Sequence, residues 1–402
     1  MTFDITSSFR SGLPAAASRW GGYPPYSFVG GHNDASAVPF GGLSEAATTV
    51  LAREGASLAH YNLGGSPLGH IKLREFLSGA LESRASMPTD PEEILITSGS
   101  LQALDLVNQV LLEPGDVVIV EQATYGGTLS RLTALGVDYV GVELDADGII
   151  ADHLDEVLTD LAAQNRRVKY IYTIPTVQNP TGSVMPTERR RQVLELARKH
   201  KVVIFEDDCY ADLTFDGTRP PTIRALDAAD GGGGQVVYCG SFSKSIAPSL
   251  RVGYLVADWP MLSQMLAAKT DAGSGALEQM VVAEYATTHF DEHVNHLTSV
   301  LQPKCLTMTD AVTANFGDAV TFDMPKGGIF VWLTFPEGVD TSSLVAPAAA
   351  AGVEFNAGAG WSVGGEYGAR RLRLCFGHPD EATIAEGVKV LADVFRAEGA
   401  IS

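Results

Sequence analysis

Short unbroken apolar runs alternate with stretches of helical periodicity through the middle of this chain. Residues 94–97, 117–120, 139–142, 168–174, 202–205, 236–239 and 252–256 each read as a strand. Continuous Val/Ile runs, rather than strict alternation, mark strands buried on both faces. Residues 101–112 and 187–199 carry the spacing of amphipathic helices, as do 43–53 and 71–83 ahead of the first strand. This order predicts an α/β fold with a mostly parallel seven-stranded sheet covered by helices.

The pattern changes after Glu278. A long helical stretch runs to Phe316, followed by a strand at 330–333, a helix at 342–351, a strand at 371–374 and a closing helix at 382–397. That half predicts a smaller α+β domain. Residues 1–40 are rich in Gly, Pro and Ser and read as an irregular arm. The expected division is an arm with part of the small domain at 1–42, a large domain at 43–285 and a small domain at 286–402.

Composition narrows the function classes. The chain has 402 residues, 45% hydrophobic and 19% charged, with a net charge of −20. An acidic surface repels a phosphate backbone and an anionic membrane, so neither is an expected partner. Four widely spread cysteines, Cys209, Cys239, Cys305 and Cys375, suit a reduced compartment. No run reaches the ~18 apolar residues of a membrane helix. Residues 1–14 lack a basic start followed by an apolar stretch, so a cytoplasmic protein is expected.

Four of the predicted strands end in loops that carry chemistry, and open α/β sheets bind ligands at such ends. Ser98-Gly99-Ser100-Leu101 joins a strand to a helix, where backbone N–H groups and a hydroxyl suit an anion. Gln178-Asn179-Pro180-Thr181-Gly182 holds Asn179 extended ahead of a proline. Glu206-Asp207-Asp208-Cys209-Tyr210 sets acids at the end of a buried strand, where they need a cationic partner or a metal. Ser241-Phe242-Ser243-Lys244, with Arg251 seven residues on, groups hydroxyls and a guanidinium around one lysine. A lysine amine can form an imine with an aldehyde, and the hydroxyls and arginine can hold a phosphate. Such a lysine, beside a cationic ring and an arginine, is expected to have a depressed pKa. The alternative for each cluster alone is ordinary cap or turn chemistry.

Together these residues resemble the fold-type I pyridoxal-phosphate enzymes, specifically the class I/II aminotransferases of the aromatic and 2-aminoadipate/kynurenine type. The resemblance covers nearly the whole chain. It rests on Tyr61 with Gly64 and Gly69, Ser98-Gly99-Ser100, Tyr125, Asn179-Pro180-Thr181-Gly182, Asp207 to Tyr210, Ser241 to Lys244, Arg251 and Arg373, in that order. It implies pyridoxal 5′-phosphate held by Lys244 as an aldimine, with Asp207 keeping the pyridine nitrogen protonated. It further implies that Asn179 and Tyr210 bond the ring's O3′ and that Tyr125 stacks on the ring. Ser100, the Leu101 N–H, Ser241, Ser243 and Arg251 would hold the phosphate. Tyr61 would reach the neighbouring subunit's phosphate in a homodimer. Arg373 would grip the substrate α-carboxylate in a bidentate manner, with Gly31 and Asn179 near the substrate.

The chain departs from that pattern at Cys209, Leu101, Ala123 and Arg370. Arg370 bears on the substrate contacts, and Arg371 also lies close to Arg373 in the sequence. The implied activity is transfer of an amino group between an L-amino acid and a 2-oxo acid. Elimination, replacement, decarboxylation or oxidation on the same scaffold is the alternative. A cofactor-binding sensor is a third reading, opposed by the chain's acidity and by the short arm where sensors carry a DNA-binding domain. His289 and His293, four apart, read as packed or solvated rather than metal-binding, and no metal is expected. His32 and Asn33 follow the glycine pair Gly30-Gly31, which the resemblance places near the substrate, and are candidate ligand contacts.

Overall fold

A seven-stranded sheet organises the larger part of the molecule. In chain order its strands are β1 (Ile94–Thr97), β2 (Val117–Glu121), β3 (Asp138–Val142), β4 (Val168–Thr173), β5 (Val203–Asp207), β6 (Val236–Ser241) and β7 (Gly253–Val256). The spatial order is β1-β7-β6-β5-β4-β2-β3. All neighbours pair in parallel except β7, which runs antiparallel to both β1 and β6. The computed structural model describes residues 3–10, 13, 16, 17 and 19–402. The rest of the arm, including part of the stretch read for a targeting signal, lies outside the described residues.

Continuous apolar strands are buried on both faces, as their composition requires. Leu95, Val118, Val120, Tyr170, Tyr172, Phe205 and Val237 face one apolar layer. Ile119, Ile171, Ile204 and Val236 face the other, against Leu154, Leu158, Val193 and Leu194 of the covering helices. The helices Gly126–Ala134, Ala151–Ala163, Ile223–Ala229 and Trp259–Ala268 add to those read from the sequence. Among the described residues, no helix is long and apolar enough to cross a membrane.

A second sheet is formed by β8 (Phe330–Thr334), β9 (Asn356–Ala357) and β10 (Arg371–Cys375), in the order β8-β10-β9 and antiparallel throughout. Its core joins Phe316, Phe335, Leu372, Leu374 and the closing helix residues Leu391 and Phe395. The helix Ala276–Phe316 belongs to both halves. Its start packs Met280, Val282 and Phe290 against α/β residues, and its end packs Leu301, Met308 and Val312 into the second core.

Candidate active site

The parallel strands end along one edge of the sheet, and their loops converge there. The antiparallel β7 enters at that same edge, because Gly253 pairs with both Thr97 and Ser241. Arg251, two residues ahead of it, is thereby brought to the loops that follow β1 and β6. A cavity of about 350 Å³ lies over this edge, lined by Gly31, Ser100, Tyr125, Asn179, Asp207, Tyr210, Ser241, Ser243, Lys244, Arg251 and Arg373, among others. Every site residue expected from the sequence lines it except Tyr61. That side chain is 82% exposed, in a segment where Asn62 and Leu63 adopt positive φ.

At one end stand the anion donors. Ser100 opens the helix Ser100–Leu111, with Gly99 rather than Ser100 as its cap residue. Gly99 has φ of +80°, and a Cβ there would come within 2.3 Å of Arg251 Nη2. Only glycine lets that guanidinium lie against the loop. Arg251 donates to Ser243 Oγ at 3.4 Å and to the Ser98 carbonyl at 3.1 Å. Hydroxyls, helix-start N–H groups and a guanidinium gathered in one cavity lining are groups that suit an anion.

Lys244 lines the same cavity. Its Nζ donates to the Gly31 carbonyl. A Cβ on Gly31 would stand 2.7 Å from Nζ, so the close approach needs glycine. Asn33 Nδ2 donates to the carbonyls of Lys244 and Ile246, each at 3.3 Å, clasping the lysine's own turn. The Lys244 pKa is lowered, chiefly by burial, with the Arg373 and Arg251 charges acting in the same direction. The expected depression is therefore present, and desolvation is its main cause.

At the other end, the three acids of β5 and its loop part company. Glu206 accepts from the N–H groups of Ile223 and Arg224, at 2.8 and 3.0 Å. Asp208 pairs with Arg219 at 3.1 Å. Asp207 alone faces the cavity, so the run of acids does not converge on a metal. Asp207 Oδ2 accepts from the Tyr172 hydroxyl at 2.6 Å, a partner the sequence reading missed. Burial raises the Asp207 pKa, while the thiol and N–H of Cys209 and the Tyr172 hydroxyl oppose that rise. A protonated pyridine nitrogen would supply the missing countercharge. Asp207, Cys209 and Cys239 also bring one carboxylate oxygen and two sulfurs within 4.8 Å of one another. Both thiol pKa values are raised, Cys209 with Cys239 as its hydrogen-bonding neighbour.

Arg373 is 2% exposed and lies between two rings, 3.8 Å from the Phe330 centroid and 3.7 Å from that of Trp361. Its Nη1 donates to Asn179 Oδ1 at 2.9 Å; its Nη2 donates to Gly30 O at 2.8 Å and Asn356 Oδ1 at 2.7 Å. Its Nε is buried with no partner. An orphaned donor on a buried cation facing a cavity fits an incoming carboxylate. Burial lowers the Arg373 pKa to about 10, which leaves it charged at neutral pH. Arg371 instead stacks on Tyr367 at 3.7 Å, and Arg370 reaches the Phe335 carbonyl, so neither competes for this role. Phe330, Asn356 and Trp361 were not singled out from the sequence.

His289 is exposed and stacks against Tyr285, and His293 is buried beside the same ring. His32 stands outside the cavity lining, against Tyr23 and His378.

A lysine between an anion cup and a lone acid, at the carboxyl edge of a mostly parallel sheet, defines a fold-type I pyridoxal-phosphate enzyme. The family model "Aminotransferase class I and II" matches residues 43–391. An aromatic-amino-acid aminotransferase of Thermococcus litoralis is 33% identical over 92% of this chain and 88% of its own. The α-aminoadipate aminotransferase LysN of Thermus thermophilus, solved with N-(5′-phosphopyridoxyl)-L-leucine, superposes with a TM-score of 0.86. It is 33% identical and covers 93% of each chain. A multiple substrate aminotransferase of Thermococcus profundus reaches a TM-score of 0.90 at 30% identity, over 99% of this chain and 100% of its own. The chain belongs to the aminotransferase class I and II family and is a pyridoxal-phosphate-dependent transaminase.

Proposed function

We propose that this transaminase exchanges the amino group of an L-amino acid with a 2-oxo acid at the cavity around Lys244. The observation that carries the reading is one cavity lined together by Lys244, by Ser100, Ser241, Ser243 and Arg251, by Asp207 and by Arg373. Pyridoxal 5′-phosphate supplies an aldehyde that takes up amines and a ring that accepts electrons. The residues supply the rest. Ser100, the Leu101 N–H, Ser241, Ser243 and Arg251 would hold the phosphate. Asp207 would keep a proton on the pyridine nitrogen, Asn179 and Tyr210 would bond the ring oxygen, and Tyr125 would pack on the ring.

Arg373 orients the substrate through its α-carboxylate. Lys244 Nζ, made less basic by burial, takes the Cα proton and hands it on. The Tyr125, Tyr210, Phe330 and Trp361 rings favour donors with apolar or aromatic side chains, in line with the named substrate class of the Thermococcus litoralis relative. Residues from 43 through the first part of the helix Ala276–Phe316 form the cofactor-holding unit, and the rest of that helix with the residues up to 402 forms the smaller one. The exposed Tyr61 suits a homodimer in which it completes the partner's phosphate cup, and the free cysteines suit the cytoplasm.

Two measurements test this. Borohydride treatment of the yellow holoenzyme should add the reduced cofactor's mass to the peptide carrying Lys244, and Lys244→Ala should abolish both the tag and turnover, by at least ~10⁴-fold. A panel of amino acids should then bleach the cofactor band with one equivalent of 2-oxo acid released, aromatic donors fastest. An untagged Lys244 peptide, or ammonia in place of the oxo acid, would overturn the reading.

A further inference from the structure

Glu121, the last residue of β2, has no exposed surface and touches neither the cavity nor any cation. Its Oε1 accepts from the Thr173 hydroxyl at 2.7 Å and the Ile174 N–H at 3.1 Å. Its Oε2 accepts from Gln178 Nε2 at 2.8 Å. Three donors converge on it, and an ionised carboxylate, which only accepts, satisfies all three. Gln178 is equally buried and ties the rest of the loop together. Its Nε2 also donates to the Ala123 carbonyl at 2.7 Å, its Oε1 accepts from the Thr181 N–H at 2.8 Å, and its own N–H donates to the Ser183 carbonyl at 2.9 Å. The next residue is Asn179, whose Oδ1 is taken by Arg373 and whose NH₂ is therefore left for the cavity.

We propose that Glu121 is a positioning residue for Asn179. Through Gln178 it fixes the loop whose amide meets the cofactor's ring oxygen and whose carbonyl steadies the carboxylate-binding arginine. One acid, out of reach of any reacting atom, thereby sets the geometry at both the cofactor and the substrate. The inference rests on the reading that Asn179 bonds that ring oxygen.

A stability cost marks the residue as retained for more than packing. Burial pushes the Glu121 pKa up to about 7, and the Asp207 charge acts in the same direction. A folded-state pKa above the unfolded value means that the folded chain binds more protons in the interval between them. Stability then falls as pH rises through that interval, from about 4.5 to about 7. The ionised form works against the fold while it holds the loop.

The test uses holoenzymes of Glu121→Gln, Gln178→Leu, the exchange Glu121→Gln/Gln178→Glu, and Asn179→Ala as reference. The main readout is the pH midpoint of the bound cofactor's visible band. A donor on the ring oxygen draws charge from the atoms that hold the titrating proton, so its loss raises the midpoint. Asn179→Ala should raise it by about one unit, the effect of one hydrogen bond to a charged group. Glu121→Gln and Gln178→Leu should each give at least half of that shift and slow the single-turnover bleaching by donor about 10-fold, with no fall in apo-protein Tm at pH 8 for Glu121→Gln. The exchange restores the donor–acceptor match between positions 121 and 178 but loses the bond to the Ala123 carbonyl, so it should recover part of the shift.

An Asn179→Ala shift with unmoved midpoints in both single variants overturns the proposal and leaves the Asn179 reading standing. If Glu121→Gln does not fold, Gln178→Leu reads the same link, and its unmoved midpoint overturns the proposal equally. No shift in Asn179→Ala itself removes the underlying reading and the proposal with it.

Discussion

Two arginines line one cavity, and they are built in opposite ways. Arg251 is exposed, held in the left-handed region at φ +54°, and bonded only to Ser243 and to the Pro248 and Ser98 carbonyls. Arg373 is buried, stacked on both faces and hydrogen-bonded to three acceptors before any ligand arrives. On the proposed reading, a phosphate dianion carries enough charge to be held by an arginine that water still reaches, because serine hydroxyls and helix-start N–H groups would share the work. A carboxylate must be oriented as well as attracted. For that, a guanidinium fixed before binding is worth more than a mobile one, since its ordering entropy is already spent.

The contrast fails first at Arg373. Arg373→Lys keeps the charge but loses the planar fork that meets Asn179, Gly30 and Asn356, and it strands those acceptors in a buried place. The expected loss in kcat/KM for the amino donor is about 10³-fold, the scale of breaking a buried hydrogen-bonded charge pair. Cofactor affinity should stay within a few-fold, because the phosphate end is untouched. Steady-state kinetics with a cofactor titration check both halves. Equal losses in both quantities would mean that the two ends are not separable.

The smaller effect lies at the exposed end. Arg251→Ala should weaken cofactor binding about 10- to 100-fold, the value of one or two charge-assisted hydrogen bonds. Salt should weaken the wild-type binding and have less effect on the variant, since an exposed charge is screened within about 10 Å at 0.1 M. Donor KM at saturating cofactor should barely change. Cofactor dissociation constants at two ionic strengths decide it; a salt-insensitive wild type would show that Arg251 is in effect buried.

How far the sequence carried these points differs between the same two ends. The strands were legible because unbroken Val and Ile runs can only be buried twice over, and each expected strand falls within a residue or two of β1–β7. The grouping of Ser100, Ser241, Ser243 and Arg251 was legible too, since they sit at strand ends and helix starts whose local composition suits an anion. The antiparallel sense of β7 was not, because periodicity reports burial and not direction; yet that reversal is what delivers Arg251. The helix Ala151–Ala163 did carry a plain stripe in Leu154, Leu158 and Leu161, whereas Gly126–Ala134 opens on two glycines and Ile223–Ala229 is short. The carboxylate end was only partly legible. Phe330, Asn356 and Trp361 come from separate strands and a loop of the second core, and nothing local marks them as neighbours of Arg373. Tyr172 and Glu121 lie within the buried strands β4 and β2. A polar atom in such a strand must find a partner. That rule flags the residue and leaves the partner unnamed, because the partner sits on a neighbouring strand.

The last comparison lies within the carboxylate end itself, between what holds Arg373 by hydrogen bonds and what holds it by stacking. Trp361 contributes its ring to the guanidinium, but its backbone does something else. Its carbonyl accepts from the Thr124 N–H at 2.9 Å, and the Val363 N–H donates to the Gln122 carbonyl at 3.0 Å, closing this segment onto the loop after β2. A side-chain change therefore removes the ring and spares the clasp. A desolvated cation–π contact is worth about 1–2 kcal/mol. Trp361→Leu should accordingly raise the donor KM about 5- to 30-fold with kcat changed less than about 3-fold, the pattern of lost binding common to ground and transition states. Trp361→Phe, which keeps a ring over the guanidinium, should recover most of the difference. If kcat fell as far as KM rose, the ring would be steering the reacting bond, and stacking would have to be counted with the hydrogen bonds as part of the carboxylate's orientation.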